Sequence, residues 1–442
     1  MHEATLKAEP RQEIIGFRGR LGFWLPLVLF FALIVLPQLL FSSGGYRSDP
    51  RFVALLVCAG FAPVVFPAGR REFGKQGIIF AAALLTAHLA AWVGGMQNGA
   101  GFLRPALSAA AGIIAVSGLA VLIVRGLRAP WRKALKWTAL LMLGMLLFTS
   151  YACYFLPIEK MIPLGGNARY FEPTRLALIW PTRLPMRWLG QIAWEHTNHA
   201  GFIFAIGQIM SLEYLALKTE GRRWSWWLLI VLLGAAVFLT GSRTAWLMIL
   251  APLPFVVFKR RAGFVLPLIF ALAGSVLLGL ASLQVKEKLA HPVPTATPVR
   301  DIHVEGLVER GSAGRLSAYE VLWDDFSGSR TFGKGLAVTG KPVAHLLHEH
   351  SSYIATFRGG GFIALAAHGV VLLLSLWAAA VLFSKGVRWP LVFLMAVLPG
   401  LLFDRGNVFI MSGRYEFAFH WVAVLLPLIL ERKLSAGNGL PP

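Results

Sequence analysis

Charge is the scarcest resource of this chain. Asp, Glu, Lys and Arg make up 14% of its 442 residues, against 57% hydrophobic, too little polar material to cover a soluble fold of that length. Cysteine is nearly absent. Cys58 and Cys153 are the whole supply, and both fall inside apolar runs, which excludes a disulfide framework. Acids are half as common as bases, 21 against 42. No small-residue cleavage site follows the first apolar run, so that run reads as a retained helix rather than a signal peptide.

What is abundant is apolar sequence in spans. Runs of about 17–25 residues can cross a hydrocarbon core as helices. Twelve are read, over residues 21–41, 51–68, 76–95, 105–124, 135–157, 198–217, 225–240, 244–258, 264–284, 353–383, 390–411 and 416–430. Their continuous apolarity implies helices, because barrel strands would alternate. The fold class is an all-α polytopic membrane protein. The seventh and eighth runs are short and meet at Gly241-Ser242-Arg243, so they read either as one re-entrant hairpin or as two tilted spans. With the N-terminus inside, the seven inner segments hold 22 of the bases and six acids. The basicity is then mostly the positive-inside signal, with both termini cytoplasmic, and nucleic acid is not an expected partner. Short basic turns and a disulfide-free outer face fit a bacterial inner membrane.

This topology divides the chain into helices 1–5 (residues 1–157), a first outer loop (158–197), helices 6–9 (198–284), a second outer loop (285–350), and helices 10–12 with a cytoplasmic tail (351–442). Loops of such length are uncommon unless functional, and both lie on the outer, periplasmic side. The first carries Arg187 and ends near His196, Asn198 and His199. The second carries eight bases and eight acids. Within it, 291–299 has three prolines and is extended, and 315–326 puts Leu316, Tyr319, Trp323 and Phe326 on one helical stripe, suited to the membrane interface or to the top of the bundle.

Three places could carry chemistry. Arg243, between two apolar runs, either snorkels, pairs with a carboxylate, or binds an anion through its guanidinium fork. Arg315 opens the amphipathic stripe, where it reads either as a solvated loop arginine or as part of an anion site with free backbone N–H groups. His345, His348 and His350 end the second loop. They read as zinc ligands without the usual Cys or carboxylate companions, as structural histidines, or as a general base titrating near neutrality. Ser351 looks like the N-cap of the next helix, which would put His350 at a helix mouth facing the aqueous layer. Gly359-Gly360-Gly361 either weakens that helix or lets another backbone come close.

Three elements, GSRTAW (241–246), the segment from Arg315 through Trp323 to FGKGL (332–336), and HEHSSYIATFRGGG (348–361), occur in the order found in the O-antigen ligase and polymerase superfamily. The chain resembles that family, most closely the ligases, over about 190–365. EHTNHAGF (195–202) looks like a weaker family patch, and Ser351 stands where asparagine is commoner. The resemblance implies a glycosyltransferase of the membrane (GT-C-like) type with a periplasmic site, working without metal or other cofactor. By it, His350 is the base for the acceptor hydroxyl, Arg243 and Arg315 hold the diphosphate of an undecaprenyl-linked glycan, and lipid A–core is the acceptor. His348, Arg187, His196, Asn198 and Tyr353 are the supporting candidates. The expected partners are those two substrates and membrane lipids, and the expected state is a monomer or weak oligomer. A polymerase or a protein oligosaccharyltransferase uses the same donor. A transporter is the reading from another class, and it would put ionisable groups such as His88, Glu213, His368, Asp404 and Arg405 to use inside the spans. The topology is testable. With Cys58 and Cys153 replaced by Ser, Thr297→Cys is expected to react with an impermeant maleimide from the outer side. Lys218→Cys should react only after permeabilisation, and the opposite pattern would invert the assignment.

Overall fold

In an apolar medium a backbone amide finds few partners except other backbone groups, so long Ala-, Leu-, Ile- and Val-rich runs settle as helices. The computed structural model describes residues 74–126, 136, 140, 143–144, 197–217, 223–240, 242–258, 262–289, 328–335, 351–403, 409 and 415–435. The regular elements among them are helices: α1 Gly74–Gln97, α2 Leu103–Gly126, α3 Thr197–Leu217, α4 Trp224–Thr240, α5 Arg243–Leu250, α6 Leu253–Val257, α7 Ala262–Leu289, α8 Ser352–Ser384, α9 Trp389–Phe403 and α10 Tyr415–Ser435. The all-helical expectation is therefore met among the described residues. The apolar runs at 21–41 and 51–68, most of 135–157, and the stripe at 315–326 lie outside them. By length and composition, two helices are apolar enough to cross a membrane, Lys75–Gln97 and Ser352–Ser384.

At Gly241-Ser242-Arg243 the two helices pack on partly different neighbours. α4 lies on α3 and α7, whereas α5 lies on α3 and α9. The two are therefore not a closed hairpin, although Phe238 and Trp246 meet edge to face at 5.7 Å. Ser242 starts α5, its hydroxyl accepting from the Ala245 amide at 3.3 Å, an ordinary N-cap. Pro252 then separates α5 from α6, since it has no N–H to continue the ladder.

α8 is the hub, lying against α1, α9 and α10. Its sequence reads as one apolar span, but its backbone leaves the helix at Gly360 (φ −139, ψ 15) and Gly361 (φ 62, ψ −158). The second conformation is open only to glycine. In a straight helix Tyr353 and His368 would stand about 22 Å apart. Their ring centroids are 6.0 Å apart. The helix therefore folds back on itself, with a short arm at 352–359 and a long arm at 362–384 meeting at the glycines. This corrects the expectation of a single crossing over 353–383. The long arm alone, roughly 34 Å at 1.5 Å per residue, is long enough for a hydrocarbon core.

Gly361→Ala should lower thermal stability in detergent by about 1–3 kcal/mol. Gly369, in the long arm with open space around its Cα, should accept alanine without loss. Equal effects at the two sites would contradict the turn.

Candidate functional site

In a continuous helix the amide of Phe362 would bond the carbonyl of Arg358, four residues back. The break parts them, and the segment 328–335 takes both. The Phe362 amide donates to the Arg330 carbonyl at 2.8 Å, and the Lys334 amide donates to the Arg358 carbonyl at 2.7 Å. The Ile363 amide reaches the Thr331 carbonyl at 3.4 Å. Backbone groups that a helix break would orphan are thus satisfied from another part of the chain.

The end of α1 closes the third side. The Asn98 side-chain amide donates to the Gly94 carbonyl at 2.8 Å and to the Gly333 carbonyl at 3.4 Å, while its oxygen accepts from the Ser329 hydroxyl at 3.4 Å. The approach is close enough to require glycine on both sides. A Cβ on Gly94 would run into the carbonyls of Phe332 and Gly333, and one on Gly335 into the backbone of Gly94 and Gly95. Two edge-to-face pairs flank the junction, Phe357 with Phe362 at 4.8 Å and Trp92 with Phe102 at 5.2 Å.

This knot ties three basic residues, Arg330, Lys334 and Arg358, to one point of the backbone, all of them half-buried. The segments that meet there, 74–102, 328–335 and 351–384, contain no Asp or Glu. A concentration of guanidinium and ammonium groups on acid-free segments at the end of apolar helices is suited to anionic oxygens, above all phosphate.

Two of the residues expected in the site have places in the backbone. Arg243 is the first residue of α5, and Asn198 lies in the first turn of α3. Tyr353 is half-buried and rests against His368. His345, His348, His350, Arg315, Arg187 and His196 lie outside the described residues. The helix expected after Ser351 does begin there, with Ser351 extended at φ −151 and ψ 130. Two details differ. The Ser351 hydroxyl makes no capping bond, and both Ser351 and Ser352 are buried, because the short arm folds back into the bundle instead of opening to water. Arg330, Lys334, Arg358 and Asn98 were not singled out from the sequence. Gly359-Gly360-Gly361 pointed either to a weakened helix or to a close backbone approach, without saying what would approach.

Among the described residues no three His, Cys, Asp or Glu come together as a cation site. Neither a protein-family model nor a curated protein matches the chain. The likeness to the ligase superfamily therefore rests on its three motif elements.

Asn98→Ala removes one net hydrogen bond or more from the knot, about 1 kcal/mol. Limited trypsin digestion in detergent should then cut after Arg330 or Lys334 roughly fivefold faster. An unchanged rate would mean that Asn98 does not hold the segment.

Proposed function

We propose that the chain is a polytopic inner-membrane glycosyltransferase, with about twelve spans and a periplasmic site. It would transfer a glycan en bloc from undecaprenyl diphosphate to lipid A–core oligosaccharide, as an O-antigen ligase does. The observation that carries this reading is the knot between 328–335 and 358–363. It joins parts of two of the motif elements, 332–336 and 348–361, and it gathers three cations where they meet.

The chemistry needs few parts. The acceptor hydroxyl attacks the anomeric carbon, and the bond from that carbon to the diphosphate oxygen breaks. Undecaprenyl diphosphate leaves, and the hydroxyl proton passes to the neutral imidazole of His350. Negative charge grows on the leaving diphosphate, where Arg243 and Arg315 stabilise it. Arg330, Lys334 and Arg358 add to that field. Tyr353, in the first turn of α8, follows His350 by three residues in the sequence.

A carrier is the second reading, favoured by one specific observation. α8 is broken and His368 is buried in its long arm, and transporters combine broken helices with intramembrane ionisable groups. An assay separates the two. Purified protein is reconstituted with an undecaprenyl-diphosphate glycan and rough lipopolysaccharide. Ladders on lipid A–core support the ligase, longer polyprenyl-linked chains a polymerase, and neither product would sink the enzyme reading. His350→Ala and Arg243→Ala are expected to abolish transfer at normal protein levels. Arg358→Ala should cut it roughly ten- to a hundredfold, the value of a lost charge-assisted contact. Chelators should leave the wild-type rate unchanged.

A further inference from the structure

His368, on the long arm of α8, and His420, on α10, are 2% and 1% exposed. Their rings lie 4.8 Å apart, inclined at 40°. Among the described residues, none of their four ring nitrogens has a hydrogen-bond partner. Every imidazole carries at least one N–H, so unsatisfied donors are held in the interior, where a leucine or phenylalanine would cost nothing of the kind. The seam around them is otherwise well closed. The Ser375 hydroxyl donates to the Val424 carbonyl at 2.8 Å. Trp421 packs on His420 at 5.1 Å, on His368 at 6.3 Å and on Phe80 at 5.9 Å.

Among the described residues, the charged and titratable groups on the elements packed here are few. α9 has none. From α1, Lys75 is exposed, and His88 faces Phe409 at 5.2 Å with its Nδ1 on the Leu84 carbonyl. Arg104 and Arg125 stand at the two ends of α2. On α10, Tyr415 and Glu416 are in the first turn, and neither nitrogen of His420 bonds to Glu416. Glu431, Arg432 and Lys433 come about three turns beyond His420, with Glu431 accepting from Ser435. On α8, Arg358 belongs to the knot, and Tyr353 touches His368.

We propose that the His368–His420 contact is an acid-released latch, closing the seam between α8 and α10 while both rings are neutral and parting it when they take up protons. A first proton puts a charge into an apolar seam with no acceptor for its new N–H. A second sets two like charges side by side. In an opened, hydrated seam the same imidazoles bind protons with their ordinary affinity, near pH 6.5. The open form therefore binds more protons, and opening grows as pH falls below that value. Tyr353 rests on His368, so the short arm loosens with the seam. The latch does not depend on the enzyme reading and would act equally on a carrier.

Hydrogen exchange of the full-length protein in proteoliposomes tests it, with rates corrected for the intrinsic effect of pH. Between pH 7.5 and 5.5, protection in 364–384 and 415–430 should fall by roughly tenfold for each linked histidine, about a hundredfold for both. α4, away from the seam, should not change. His420→Leu should reduce the fall to about tenfold, and the pair His368→Phe with His420→Leu should remove it. Unchanged protection in the unaltered protein, or an equal loss in α4, would overturn the latch without any variant having to fold.

Discussion

One diverted hydrogen bond organises the described part of the molecule. The carbonyl of Arg358 and the amide of Phe362 would be partners in any continuous helix, and here each is bonded to 328–335 instead. The diversion requires a backbone conformation that only Gly361 supplies. Once it is made, the short arm of α8 is folded beside the long arm, the end of α1 is brought against 328–335, and three cations share a location. Without it, α8 would be an ordinary apolar rod and the segment 328–335 would have nothing to dock on.

Much of the helix content was legible because long, continuous apolar runs without alternation favour helix over strand. α3 and α4 fall within a residue of the runs at 198–217 and 225–240. The turn in α8 was legible in position but not in consequence. Three consecutive glycines announce a weak point, yet hydropathy is the same for a chain that runs on and one that doubles back. The cations of the knot were hidden for another reason. They meet through backbone bonds between 328–335 and 358–363, held further by the Asn98 side chain on the Gly333 carbonyl 235 residues away, and no local pattern encodes such a meeting. Ser351 does stand at the N-cap position, as local preference indicates, but its hydroxyl makes no capping bond, and the burial of that helix start comes from the fold-back, which local preference does not register.

The same fold-back separates two populations of polar groups. Those of the knot are backbone amides and carbonyls fully used against one another, surrounded by half-buried basic side chains. Those of the seam include two imidazoles that have no hydrogen-bond partner among the described residues. The first arrangement stabilises a single geometry. The second leaves the interior unsatisfied in a way that solvent or protons can relieve. The short arm, with Tyr353 at one end and Arg358 at the other, is the mechanical link between them.

The doubled helix also restricts how this chain can vary. Tyr353 and His368 stand seven residues from Gly360 and Gly361 respectively, and they meet because the two arms match in length. Substitutions within either arm alter packing and leave that meeting intact. A single inserted or deleted residue would rotate everything beyond it by about 100° and turn one of the two rings away from the other. Between 353 and 368, the length of the chain is more tightly constrained than its composition.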